Sequence, residues 1–175
     1  MQDNKVNVIC DTAITQISRG DREALSVIYD HMARMIFSVA VAITGNDADA
    51  EDVLQETMIE IVKYAHTYQS GTNARAWILS MARHRAIDLV RKRKPTVSID
   101  ETLSESIPDP QSEVSQTGVL ELLNLLDEEE KQLVVFRLYE ELSYAEIAEM
   151  MRISVAAAQK RYQRTIKKLK KTYFT

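Results

Sequence analysis

The stretch Asp47-Ala48-Asp49-Ala50-Glu51-Asp52-Val53-Leu54-Gln55-Glu56, continued to Tyr68, decides how the chain is read. Its inward-type residues fall at Val53, Leu54, Thr57, Met58, Ile61, Val62 and Ala65. That i, i+1, i+4, i+5 spacing predicts a helix with one broad buried stripe. At about 100° per residue, Asp49, Asp52, Glu56 and Glu60 gather on the opposite face, with Gln55 and Glu51 nearer its edges. Asp47 is placed to cap the helix, and the early acids suit the positive end of its dipole. A helix start accounts for Asp47, Asp49 and Glu51. It does not account for Glu56 and Glu60, two and three turns further in. The face is either a solvated surface or a docking site for a basic partner.

Working outward, the flanking segments also read as helices. Cys10 to Ser18 predicts a short helix with Ile14 and Ile17 inward, broken by Gly20-Asp21. Asp21 is expected to cap a helix from Arg22 to about Thr44, with Leu25, Ile28, Tyr29, Met32, Ile36 and Val39 at helical spacing. Gly45-Asn46 ends it as a glycine stop. After the acidic helix, Ser70-Gly71-Thr72-Asn73 is a turn, and Thr72 or Asn73 caps a helix from Ala74 to about Arg93. There Ile78, Leu79, Ala82, Ala86, Leu89 and Val90 form the core side. Trp77, Met81, His84, Asp88 and Arg91 fall on the other. Trp77 either folds back from the first turn into the core, the reading favoured by its position, or faces DNA. Four helices with short turns make one helical domain, residues 1–94.

Lys94-Pro95 stops the fourth helix, because a residue before proline is pushed out of the α region. From Pro95 to Ser115 the chain is rich in Ser, Thr, Pro and acids (Asp100, Glu101, Glu105, Asp109, Glu113) without periodicity. Residues 95–115 are therefore expected to be a flexible acidic linker, able to span about 65 Å.

A second domain, residues 116–175, opens at Gly118 to Leu126 with Val119, Leu122, Leu123 and Leu126 on one face. Asp127 and Glu130 have the form of a capping box before Lys131 to Tyr139, and Ser143 and Glu146 form another before a helix to Met151. Arg152-Ile153-Ser154 is a tight turn, and Ser154 caps a long helix from Val155 to about Thr172. A short helix, a turn and a basic helix are the parts of a helix-turn-helix. Ala145, Ile147, Ala148, Met151, Ile153 and Ala158 are expected to pack its two helices together. Ala156, Ala157, Gln159, Lys160, Arg161 and Arg164 lie on its free face, while Lys167, Lys168, Lys170 and Lys171 trail behind, placed for phosphates.

Composition agrees with an all-α protein. Hydrophobic residues make up 45% and charged residues 27% of the 175-residue chain, with four Gly and three Pro. Such a balance fits a globular protein, long enough for one ordinary or two small domains. The single cysteine, Cys10, excludes an internal disulfide and fits a reducing cytosol. Met1-Gln2-Asp3-Asn4 has neither the basic start nor the apolar core of a signal peptide. The run Met35 to Ile43 is short of a membrane span, so a cytoplasmic protein without membrane insertion is expected. His31, His66 and His84 have no metal-ligand spacing, and neither metal nor cofactor is assigned.

The net charge of −4 hides a sorting of charge along the chain. Asp47, Asp49, Glu51, Asp52, Glu56 and Glu60 occur between Asn46 and Val62 with no base among them. Arg83, Arg85, Arg91, Lys92, Arg93 and Lys94 stand against Asp88 alone. From Arg152 to Thr175 come Arg152, Lys160, Arg161, Arg164, Lys167, Lys168, Lys170 and Lys171, with no acid. Two basic segments in an acidic protein point to two contacts with a polyanion.

These residues resemble a known family. Asp49-Ala50-Glu51-Asp52-Val53-Leu54-Gln55-Glu56 resembles the core-polymerase-binding helix of bacterial sigma factors. Ala76-Trp77-Ile78-Leu79-Ser80-Met81-Ala82-Arg83, with Asp88 and Arg91-Lys92-Arg93, resembles the promoter-melting segment that follows it. Ser143-Tyr144-Ala145-Glu146-Ile147-Ala148-Glu149-Met150-Met151, with Ile153-Ser154 and Lys160-Arg161 through Leu169, resembles the helix-turn-helix of their fourth domain. With only a linker between, the chain is similar to the small extracytoplasmic-function type. The resemblance implies a sigma-2-like four-helix domain, a sigma-4-like helix-turn-helix domain, and no bond chemistry. It implies docking of the acidic helix, through Asp49, Asp52, Gln55, Glu56 and Glu60, on the β′ clamp helices of core RNA polymerase, with the β flap as a second contact. Trp77, His84, Arg85, Arg91 and Lys92 would then serve the −10 element, with the loop from Ala65 to Arg75 supplying a base pocket. Ala157, Gln159, Lys160, Arg161, Arg164 and Lys168 would serve the −35 element. An anti-sigma factor is a further partner of this type of protein.

The sequence also departs from the family. His84 stands where Asn is usual, Leu126-Asp127 replaces Leu-Pro, and Arg152 sits where a turn Gly is common. Ala156-Ala157-Ala158-Gln159-Lys160 replaces a Gly-Thr-Val-Lys-Ser-like run, so the promoter sequence is not legible. One rival is a stand-alone helix-turn-helix regulator with a helical effector domain. It leaves the acidic helix unexplained, and such a regulator is usually dimeric on DNA. A carboxylate-helix metalloenzyme would need inward Glu and a Glu-x-x-His repeat, which the chain lacks.

Overall fold

Helical periodicity carries through all the described residues, 2–93, 126–139 and 142–173 of the computed structural model, and no strand occurs among them. The linker of residues 95–115, Lys94, and Val119, Leu122 and Leu123 of the helix expected from Gly118 lie outside the described residues. Helix α1 spans Gln2–Ser18, α2 Leu25–Thr44, α3 Asp47–Tyr64 and α4 Ala74–Arg93, with a 3-10 turn at Ala65–Thr67. Helix α5 runs Glu128–Val134 and passes into a π-helical turn, Val135–Tyr139; α6 is Tyr144–Met151 and α7 Val155–Tyr173.

Three boundaries differ from expectation. Helix α1 begins at Gln2 rather than Cys10, because Val6 extends the stripe of Cys10, Ala13, Ile14 and Ile17 that faces the core. Helix α2 begins at Leu25 rather than Arg22. Asp21 does cap, but it accepts the Glu23 amide at 3.0 Å in the turn ahead of the helix. Asn46, not Asp47, caps α3: its Oδ1 accepts the Asp49 amide at 2.8 Å. The other stops and caps lie where the sequence puts them. Gly45 takes the left-handed conformation, φ 78°, and its amide reaches back to the Val41 carbonyl. Asn73 caps α4 by accepting the Ala76 amide at 2.9 Å. Asp127 with Glu130 and Ser143 with Glu146 both form complete capping boxes.

Helix α2 is the hub. By length and composition it is apolar enough to cross a membrane, beyond the Met35–Ile43 run considered above. Its stripe of Ile28, Met32, Ile36, Val39 and Ala40 is buried, and α1, α3, α4 and α5 all pack on it. Val53, Met58 and Ile61 bring α3 onto the same core. Truncating a side chain such as Ile61 there should cost about 2–5 kcal/mol.

Helices α5–α7 do not stand apart from α1–α4. Helix α6 packs on α4 and α5 on α2, so the buried cluster runs without a break from Cys10 to Ala158. Arg75, at the start of α4, faces Glu146 of α6 at 3.6 Å, and Arg83 Nε donates to Gln132 Oε1 of α5 at 3.1 Å. Beside this seam a cleft of about 1090 Å³ opens among α2, α4 and α5, floored by Phe37, Val41, Ile87, Val90 and Val135.

Candidate nucleic-acid interface and docking face

The acidic face of α3 is real but narrower than its periodicity predicts. Asp52, Gln55 and Glu56 are exposed. Asp49 is buried, with 2% of its surface exposed, a correction to its expected place on the outer face. Its two carboxylate oxygens take both terminal nitrogens of Arg93, and Asn46 Nδ2 donates to Oδ2 at 2.7 Å. Glu60 is half-buried and pairs with Arg85. One residue was missed. Ile59 is 61% exposed, lies seven residues after Asp52, and so stands on the same helix face. The signal was in the sequence: an isoleucine out of step with the buried stripe and flanked by acids. Across a shallow groove from it, Tyr29 of α2 is 52% exposed, with Leu54 and Met58 between.

The residues expected to meet the −10 element lie on α4 next to this face. A cleft lined by Asp52, Gln55, Glu56 and Ile59 on one wall and Arg85, Asp88, Lys92 and Arg93 on the other joins the two. Arg91 and Lys92 are exposed and Arg85 is half-exposed. Trp77 is half-buried against the core, its ring tilted on that of Tyr68 with centroids 5.1 Å apart. His84 is also half-buried. Burial, then the charges of Arg152 and Arg83, hold its imidazole below the ordinary value, with Asp88 opposing. Arg152 is the one non-glycine residue of positive φ among the described residues, at φ 54° and ψ 45°. It closes α6 in the conformation a glycine adopts most cheaply.

The loop between α3 and α4 is held from behind by α1. Asp11 Oδ1 accepts the Tyr68 hydroxyl at 2.7 Å and the Gly71 amide at 2.7 Å, and its Oδ2 accepts the Ser70 hydroxyl at 2.9 Å. One turn earlier, Asn7 Oδ1 accepts the Arg75 amide at 3.2 Å. These bonds from Tyr68, Gly71 and Ser70 outweigh the burial that would raise the Asp11 carboxyl, and keep it below its ordinary value. Burial first, then Asp11, pushes the Tyr68 hydroxyl up to about 12. Burial also pushes the Cys10 thiol up to about 11, which disfavours the thiolate.

Helices α6 and α7 form the helix-turn-helix. Ile147, Ala148, Met151 and Ala158 are buried in it, with Ile153 half-buried. Ala145 is exposed, contrary to expectation, and Met150 is buried in its stead. On α7, Gln159, Lys160, Arg161, Arg164 and Lys168 are exposed and Ala157 is half-exposed. Two of these bases already have carboxylate partners on α5: Arg161 pairs with Glu129, and Lys168 with Glu130 at 2.8 Å.

Known proteins share this arrangement. Family models for sigma-70 region 2 and sigma-70 region 4 match residues 28–96 and 117–169, together well over half of the chain. The ECF RNA polymerase sigma factor SigW of Bacillus subtilis is 27% identical over 175 residues, covering 90% of this chain and 93% of its own. ECF RNA polymerase sigma factor SigK of Mycobacterium ulcerans is 24% identical over 167 residues, covering 90% and 89%. The solved structure of CnrH in complex with the cytosolic domain of CnrY superposes with a TM-score of 0.72 at 19% identity, covering 94% of this chain and 97% of that one. RpoE of Bartonella quintana, solved with the anti-sigma factor NepR, gives 0.65 at 17% identity, covering 82% and 92%. The chain belongs to the sigma-70 family and is an RNA polymerase sigma factor of the extracytoplasmic-function type.

Proposed function

We propose that this sigma factor divides its work among three surfaces. Asp52, Gln55 and Glu56, with Ile59 one turn on and Tyr29 beside them, dock on the clamp helices of core RNA polymerase. Asp49 and Glu60 support that face from beneath through Arg93 and Arg85. Helix α4, with Trp77, His84, Arg85, Arg91 and Lys92, and the loop before it capture the non-template strand of the −10 element. Helix α7 enters the −35 major groove, with Ala157, Gln159, Lys160, Arg161 and Arg164 toward bases and Lys168 toward phosphate.

The observation that carries this reading is the segregation of charge onto separate exposed helix faces: acids around Ile59 on α3 and bases along α7. An exposed isoleucine with Asp52 and Glu56 on the turns before it suits a basic protein surface with an apolar ridge, not a polyanion. Residues 1–94 and 116–175 act as the two reading units, joined by 95–115. The protein works in the cytoplasm, supplies no bond chemistry itself, and needs no metal or cofactor. An anti-sigma factor is a further partner, supported by the complex in which the RpoE neighbour was solved.

Free protein is expected to bind promoter poorly, because α6 lies on α4 and because Arg161 and Lys168 are paired with Glu129 and Glu130. A gel shift with and without core polymerase, followed by run-off transcription, tests the reading. A specific shift and transcript only in the presence of core support it. Equal promoter affinity without core would oppose it.

A further inference from the structure

We infer that Asp11 is a positioning residue for the strand-capture loop, so that −10 preference is set from behind the loop by a side chain of α1. The inference rests on the reading of residues 65–75 as that loop. Three of the loop's polar groups, the Tyr68 hydroxyl, the Ser70 hydroxyl and the Gly71 amide, converge on one carboxylate. Asn7, four residues earlier and so on the same helix face, accepts the Arg75 amide and reaches the Thr72 carbonyl with Nδ2 at 3.4 Å. Residues 68 to 75 are thereby fixed at both ends to a helix more than fifty residues away in sequence.

The consequence is a division of the loop into residues that Asp11 holds and residues that it does not. With Tyr68 bonded to Asp11, its ring is set against Trp77 at 5.1 Å. Ser70 and Gly71 stay exposed while bonded to Asp11, and His66, Thr67 and Gln69 are exposed without a bond to that carboxylate. Gly71 has φ +83°, and a Cβ there would meet no atom within 4 Å. The turn geometry, not lack of space, asks for glycine, and it aims the Gly71 amide at the carboxylate. Bonds to an ionised acceptor are about twice as strong as neutral ones, so one carboxylate can hold the loop in a single shape before DNA arrives. A loop already ordered binds an unstacked base without the entropic cost of ordering on binding.

The test uses full-length protein with core polymerase and a promoter set substituted at each −10 and −35 position, scored by open-complex formation. Asp11→Ala is expected to lower the rate on the preferred −10 sequence roughly tenfold to a hundredfold and to flatten the preference at one −10 position. The −35 preference and the melting temperature should stay near the parent's. Asp11→Asn, which keeps one acceptor oxygen, should lie between the two. Gln69→Ala and His66→Ala, at exposed positions not bonded to Asp11, examine the capture reading separately. If they flatten −10 preference while Asp11→Ala and Asp11→Asn do not, the inference fails and the capture reading stands. If none of the four changes −10 preference, the capture reading fails and takes the inference with it.

Discussion

Arg75 of α4 and Glu146 of α6 face each other at 3.6 Å across the seam between the two groups of helices, with only 1% and 9% of their side chains exposed. The same Glu146 closes the α6 capping box through Ser143, so the seam is tied to the start of the helix-turn-helix. A buried ion pair contributes little net stability when whole but is costly to break one-sidedly. The pair is set in a seam that is largely apolar, since the buried cluster is continuous across it.

Glu146→Gln removes the carboxylate facing Arg75 while keeping an oxygen for the cap. Helices α5–α7 are expected to pack less firmly on α4 and let water reach Arg75, at a cost of up to about 3–5 kcal/mol. Small-angle scattering should show a larger radius and denaturant unfolding a lower midpoint. An unchanged radius and midpoint would mean that the seam does not depend on this pair.

His84 gives the seam a pH dependence of known sign. Burial and the charges of Arg152 and Arg83 hold its pKa below the ordinary 6.5, so the opened or unfolded chain takes up the proton more readily. Its contribution to stability is present above about pH 6.5 and declines as the pH falls toward the lower folded value. Urea midpoints at pH 7.5 and 5.5 should differ more in the parent than in His84→Asn. Equal differences would remove His84 from the account.

Arg152→Gly should relieve the left-handed strain at the α6 terminus. The gain is about 1 kcal/mol, partly offset by the extra freedom of glycine in the unfolded chain. A modest rise in melting temperature is expected, together with a higher His84 pKa, read by NMR titration, once the guanidinium is gone. A fall in both would contradict the geometry.

On α7, base readout and phosphate binding separate by position. Arg161→Ala should cost about 1–3 kcal/mol at one −35 position and relax preference there, while Lys171→Ala should weaken all sequences alike and flatten the salt dependence. Glu129→Gln with Glu130→Gln should raise the free protein's affinity for DNA of any sequence, since Arg161 and Lys168 then lose these two carboxylates. No rise would show that these pairs do not mask α7.

Local signals were legible and distant ones were not. The α3 stripe, the Gly45 stop, the Asn73 cap and both capping boxes depend on residues within four positions of one another, and the sequence displays them. Asp49 was misplaced because its partner Arg93 lies 44 residues on. Nothing local distinguishes a carboxylate under an arginine from one in water. The contacts of Asp11 with residues 68–71 and of Arg75 with Glu146 escaped for the same reason. Ala145 and Met150 exchanged places because α6 is packed on two sides, against α7 and against α4, and a single-stripe pattern accommodates only one.

The central claim is that exposed acids of α3 hold core polymerase, and the affinity of Asp52→Lys/Glu56→Lys for core measures it most directly. Both positions are exposed, and Glu56 has only the charge of Arg85 near it, so melting temperature should stay within a few degrees of the parent. Binding to core, measured by fluorescence anisotropy of the labelled sigma factor, should fall at least about a hundredfold, as expected when like charges meet at an interface. A folded double mutant that binds core as tightly as the parent would contradict the account.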